Sequence, residues 1–155
     1  MELSALDVAM VRGRQEMNLD ITIKKIVDLK IDLPDKTFWQ AVALDGAATI
    51  AKRTLSGKGP TGKTFRPYST KYAEKRADTG RQVTPPNLSY SGRMLKSIST
   101  DATDKQGRIF LSGEEGYKAW QNEEMGRPFF DLSDAELTGI VKKIETWMES
   151  KNDLK

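Results

Sequence analysis

Two stretches of the chain carry long hydrophobic repeats at three- and four-residue spacing. In KTFWQAVALDGAATIAKRTLS, positions Trp39, Val42, Ala43, Ala47, Ile50, Ala51 and Leu55 fall on one helical face. Asp35 precedes this stretch as an N-cap, Gly46 weakens it slightly, and Ser56-Gly57 ends it. Later, Ser133-Asp134-Ala135-Glu136 spells a capping box. Leu137, Ile140, Val141, Ile144, Trp147 and Met148 then make a single apolar stripe on a terminal helix.

Elsewhere the patterns are shorter. Residues 1–18 hold no sustained period, and residues 1–20 are expected to form an arm or short helix. ITIKKIVDLKIDLP alternates at Ile21 and Ile23 and again at Leu29, Ile31 and Leu33, which predicts extended structure; Ile23, Ile26 and Val27 would also suit a helix. Three glycines, two prolines and three basic residues make residues 57–68 a loop, expected to be flexible and exposed. Ser69 can cap a short helix over TKYAEKRAD, and Pro85-Pro86 breaks the loop that follows. Met94, Leu95 and Ile98 sit at helical spacing, GRIFLSG (107–113) is a strand candidate, and EEGYKAWQNEEMG reads as a short helix or irregular turn. The expectation is an α+β fold: a small antiparallel sheet packed against two long amphipathic helices. One domain would span 21–150 with a basic loop at 57–68, and 151–155 would be a tail.

Composition narrows the chemistry. At 155 residues the chain is most economically one domain with a modest core. No run approaches the roughly 18 apolar residues of a membrane span. The first residues lack a basic start followed by an apolar stretch, so no secretory signal is expected. Cysteine and histidine are both absent, which removes disulfides, thiolate nucleophiles, and the commonest general base and metal ligand. The expectation is a non-enzyme with no cofactor and no metal. The acidic pairs Glu114/Glu115 and Glu123/Glu124 do not change this, because adjacent helical positions do not face each other.

Charge is uneven. Residues 51–81 hold nine bases against two acids, a local charge of +7, whereas 114–155 hold ten acids against six bases. The basic region could face a polyanion, or the two regions could meet in neighbouring subunits; an ordinary solvated surface is the plainer alternative. Lys58, Lys63, Arg66, Lys71, Lys75 and Arg76 are the candidates for a DNA-channel or subunit contact. Tyr68, Tyr72 and Tyr90 lie in or near that region, where aromatic stacking on a single strand is conceivable. Trp39, Trp120, Phe129, Phe130 and Trp147 are candidate core or interface anchors.

GKGPTGKT (57–64) fits the phosphate-binding pattern G-x-x-x-x-G-K-[ST]. Its context argues against that chemistry. A helical repeat with Lys52 and Arg53 precedes it where a buried strand belongs, Pro67 follows closely, and RIFLSGEE is a poor magnesium-holding strand.

Four segments, in order over roughly 57–148, resemble the virion morphogenesis or tail-completion proteins of Mu-like tailed phages. They are GKTFRPYSTKYAEKR, NLSYSGRMLKSIS, RIFLSGEEGYKAWQNE and GRPFFDLSDAELTGIVKKIETWM. The chain departs from that pattern at Gln121-Asn122, where a His-Gln pair is usual, in lacking most of a glycine-rich insertion before Arg127, and in its first 20 residues. The resemblance implies a structural protein of the neck or upper tail, forming a homo-oligomeric ring with neighbouring neck and tail proteins. It would sit in the virion, assemble in the host cytoplasm, contact no membrane, and meet packaged DNA through backbone charge alone. A nucleotide-binding P-loop protein and a free-standing, sequence-independent DNA-binding protein are the alternatives.

Overall fold

The computed structural model describes residues 6–13, 16–23 and 32–152. The chain forms β1 (Leu6–Arg12), β2 (Glu16–Ile23), α1 (Lys36–Leu55), α2 (Thr70–Asp78), α3 (Arg93–Lys96), β3 (Ser99–Ala102), β4 (Gln106–Ser112), α4 (Gly113–Glu124) and α5 (Asp134–Asn152). The four strands make one antiparallel sheet in the order β1-β2-β4-β3. The α+β expectation therefore holds.

Register gives the sheet one dry face. Met17, Leu19 and Ile21 of β2 stand opposite Leu111, Ile109 and Gly107 of β4, and all six are buried. The alternate positions, Phe110 apart, carry polar groups, and there Arg108 Nε donates to Asp20 Oδ1 at 2.8 Å. That bond, then the Asp20 charge, raises the Arg108 pKa above its ordinary value. A half-wet antiparallel sheet of this kind reads as alternation along its strands.

Helix α1 lies on the dry face. Asp35 accepts from the Phe38 N–H at 2.9 Å, as an N-cap should. Gly107 and Gly46 permit the close approach. A Cβ on Gly107 would meet the Trp39 carbonyl oxygen at 2.6 Å, and one on Gly46 would meet Ile109 Cδ1 at 2.8 Å. Gly46 thus serves packing rather than merely weakening the helix. The expected apolar face is one position off at its end: Leu55 is exposed, while Thr54 is buried with its hydroxyl donating to Ile50 O at 2.8 Å.

Helix α5 runs antiparallel to α1. Phe38 meets Trp147 with ring centres 5.3 Å apart, Asp45 meets Lys143, and Arg53 meets Glu136. The capping box forms as read, with Ser133 Oγ accepting from Glu136 N at 3.2 Å and Glu136 Oε2 accepting from Ser133 N at 2.7 Å. Ile140, Ile144 and Met148 are its buried positions.

Several expectations need correction. Residues 6–12 and 16–23 form neither an arm nor a short helix: β1 and β2 pair from Leu6↔Ile23 to Arg12↔Met17, and β2 is one of the two central strands. Alternation at Met17, Leu19 and Ile21, with polar Asn18 and Asp20 between them, is the signal, and it begins ahead of the Ile21 and Ile23 pair from which extended structure is expected. Of the 21–34 segment, Ile21–Ile23 ends β2, and residues 24–31 lie outside the described residues. The tail does not begin at 151, because α5 continues through Asn152, whose side-chain amide donates to Asp32 O at 3.1 Å. Only one turn of helix forms at Arg93–Lys96, and β3 follows it directly after Ser97-Ile98.

Gly107→Ala should lower stability by about 1–3 kcal/mol in urea unfolding, since the Trp39 backbone cannot yield. Gly139→Ala, with open space around it on α5, should be neutral or stabilising by up to about 1 kcal/mol.

Candidate functional site

Most of the residues carrying the resemblance lie outside the sheet, in helices and in parts of three irregular segments: 56–69, 79–92 and 125–133. With little ladder hydrogen bonding of their own, these segments need other donors for their carbonyls. Arginine supplies them. Arg76 on α2 is 1% exposed. Its guanidinium donates to Gln82 O at 2.8 Å, Asn87 Oδ1 at 3.0 Å and Ser89 O at 2.9 Å. Arg127 donates to Arg66 O at 2.8 Å and Pro67 O at 2.9 Å. Arg53 donates to Phe129 O, Asp131 O and Glu136. Arg fits such work because its planar fork offers five donors and stays charged.

Tyr68 stands between two of these groups. The Arg76 and Arg127 guanidinium carbons lie 4.7 Å and 5.1 Å from its ring centre, within cation–π range. Its hydroxyl accepts from the Leu88 N–H at 3.1 Å, at a residue with φ of 53°. Tyr72 packs edge-on to Tyr68 at 5.1 Å, and Tyr90 stacks near Tyr72 at 6.3 Å. Arg81 covers Tyr90 at 4.0 Å, and Lys75 lies 5.8 Å from that ring.

These rings line an open cleft of about 550 Å³ between the α2 and 88–92 side and helix α4. Its walls include Tyr72, Tyr90, Lys75, Arg93, Met94 and Met125. Across the cleft Lys118 donates to Glu115 at 3.0 Å and pairs with Glu114 at 2.7 Å. The Lys118 bond, then its charge, lowers the Glu114 pKa, and Glu114 in turn raises that of Lys118.

The basic candidates divide. Lys58, Lys63, Arg66, Lys71 and Lys75 are exposed. Arg76 is not, so it is withdrawn as a direct contact for DNA or a subunit: its guanidinium donors are used inside the fold. Lys71 and Lys75 share one face of α2 through their four-residue spacing. The loop at 57–68 is less free than expected. Gly59 N–H donates to Lys63 O, Phe65 N–H donates to Gly57 O, both at 3.0 Å, and Phe65 is buried. Gly57, at φ 80°, has no room for a Cβ against Pro85. The loop follows a helix, and α2 opens six residues after Thr64, so the strand–loop–helix setting of a phosphate cradle is absent.

Trp39, Phe129 and Phe130 are core residues, whereas Trp120 and Trp147 are half-buried. Phe38, Val42 and Trp147 line a second, apolar groove between α1 and α5. Glu123, dismissed with its neighbour in the sequence, is structural: its Oε1 accepts from Phe129 N at 3.0 Å and Phe130 N at 3.1 Å. Among the described residues no cluster of acids suits a metal ion, and no helix is long and apolar enough to cross a membrane. No protein-family model, curated protein or solved structure matches the chain.

Replacing Arg76 by Met strands three acceptors and should lower stability by at least about 2 kcal/mol, read by urea unfolding. Lys71→Met, at an exposed position, should stay within about 0.5 kcal/mol. In an NMR carboxyl titration, Lys118→Met should move the Glu114 pKa up toward its ordinary value.

Proposed function

We propose that the chain is a structural, non-enzymatic virion protein of a tailed phage. In this reading it forms a ring at the neck or upper tail and acts in head–tail joining or tail completion. The observation that carries the reading is how the four resembling segments meet. Arg127 of GRPFF holds the backbone of FRPY, Arg76 of YAEKR holds that of NLSY, and Tyr68 ties FRPY to Leu88. RIFLSGEEGYKAWQNE supplies most of β4 and α4, and its last residue, Glu123, seats Phe129 and Phe130. The residues behind the resemblance are thus each other's partners, as expected where they define a shared fold rather than scattered coincidences.

The charge distribution also supports assembly. Lys58, Lys63, Arg66, Lys71 and Lys75 make no ion pair among the described residues, whereas Glu123, Asp131 and Glu136 pair within the chain. An uncompensated basic surface suits a neighbouring subunit, an adjacent virion protein or the phosphates of a DNA channel. A head-to-tail contact between identical subunits closes into a ring when its rotation permits. Such a protein would assemble in the host cytoplasm and end in the virion.

Light scattering after size-exclusion chromatography tests this, with the purified chain alone and mixed with phage tails or connectors. The expected outcome is a discrete oligomer or a stable complex with one of those assemblies. A chain that stays monomeric and joins neither overturns the reading.

A further inference from the structure

We infer that the tyrosine-lined cleft is a binding site for single-stranded nucleic acid, with bases stacked on Tyr72 and Tyr90 and phosphates held by Lys75 and its neighbours. The inference is independent of ring formation. Three observations carry it.

The first is aromatic exposure. Tyr72 and Tyr90 remain 36% and 37% exposed although they pack against each other, and both line the cleft. Partly exposed aromatic side chains in a basic groove, here with Arg81 against Tyr90, are what sequence-tolerant single-strand binding uses. The second is charge without compensation. Lys75, Arg76, Arg81 and Arg127 surround the three rings, and none of them makes an ion pair among the described residues. The opposite wall differs, for Arg93 and Lys118 face Glu114 and Glu115. Glu74 and Asp78, the acids of α2, do not line the cleft. The third is burial. Arg76 and Arg127 are 1% and 7% exposed, with only neutral acceptors and ring faces as partners. Buried charges lacking a counter-ion project their field through a low-dielectric wall, and that field attracts an anion to the cleft. Lys71, one turn from Lys75 on the same face of α2, extends the basic track beyond the rings.

An acidic peptide would answer the charge but leave the ring faces unused, and a duplex hides its bases from them. The test is fluorescence anisotropy with a labelled oligothymidylate of about ten nucleotides, long enough to cover a single-strand site of ordinary size. The native chain should bind it at low salt, with affinity falling as salt rises. Tyr90→Leu and Tyr72→Leu should each weaken binding about tenfold, the loss of roughly one stacked base. Lys75→Gln should weaken it and flatten the salt dependence, whereas Lys142→Gln on α5 should change nothing. Circular dichroism of each variant confirms that it is folded. The inference fails if the native chain does not bind, or if folded tyrosine variants bind as well as it does. It also fails if a duplex of equal length binds as tightly, or if polyglutamate displaces the oligonucleotide at equal charge concentration.

Discussion

The arrangement on which half of this molecule rests is a tyrosine ring held between two buried guanidinium groups. Tyr68 has Arg76 at 4.7 Å and Arg127 at 5.1 Å. Each arginine spends its remaining donors on backbone carbonyls of a different irregular segment. The phenol oxygen adds a second hold on the 79–92 segment through Leu88. Neither cation could be buried alone, because desolvating an unpaired charge is far more costly than one hydrogen bond returns. Several carbonyl acceptors and a shared ring face together make the burial tolerable. Removing one member leaves the others exposed to the same penalty, so the cluster acts as a unit.

Around it, the rest of the fold divides between two kinds of order. The sheet, α1 and α5 are held by patterned apolar burial, with Leu19, Ile109, Ile144 and Met148 fully enclosed. The segments at 56–69, 79–92 and 125–133 contribute few core residues and are gathered by polar side chains instead. Residues 127–131 show the contrast within a few positions. Phe129 and Phe130 point into the core, while Glu123, Arg53 and Arg127 hold the backbone on which they are mounted.

This division explains what was legible in the sequence. Periodicity found α1, α5 and β4, because their burial repeats at 3.6 or 2 residues; cap residues Asp35 and Ser133 marked helix starts for the same local reason. The β1–β2 hairpin escaped notice because its alternation is short, running from Met17 to Ile21 ahead of the residues in which extended structure is expected. The basic surface was legible as composition, but the site was not. Nothing local separates buried Arg76 from exposed Lys75 beside it; only the carbonyls of residues 82 and 89, brought back by a loop, make the difference. Glu123 was similarly opaque, since its partners lie six and seven residues away across a turn.

The reliance on arginine has a consequence for how the protein meets its surroundings. The chain contains no histidine, and guanidinium groups keep their charge throughout the working range of any cell. The clamps at Arg53, Arg76 and Arg127 are therefore indifferent to acidity near neutrality. Their natural competitor is a chemical relative: the free guanidinium ion presents the same flat face to Tyr68 and the same donors to the carbonyls of 66, 67, 82 and 89. A denaturant that imitates the clamp attacks the irregular half in its own chemical language, whereas the sheet and its two long helices meet it only as a solvent.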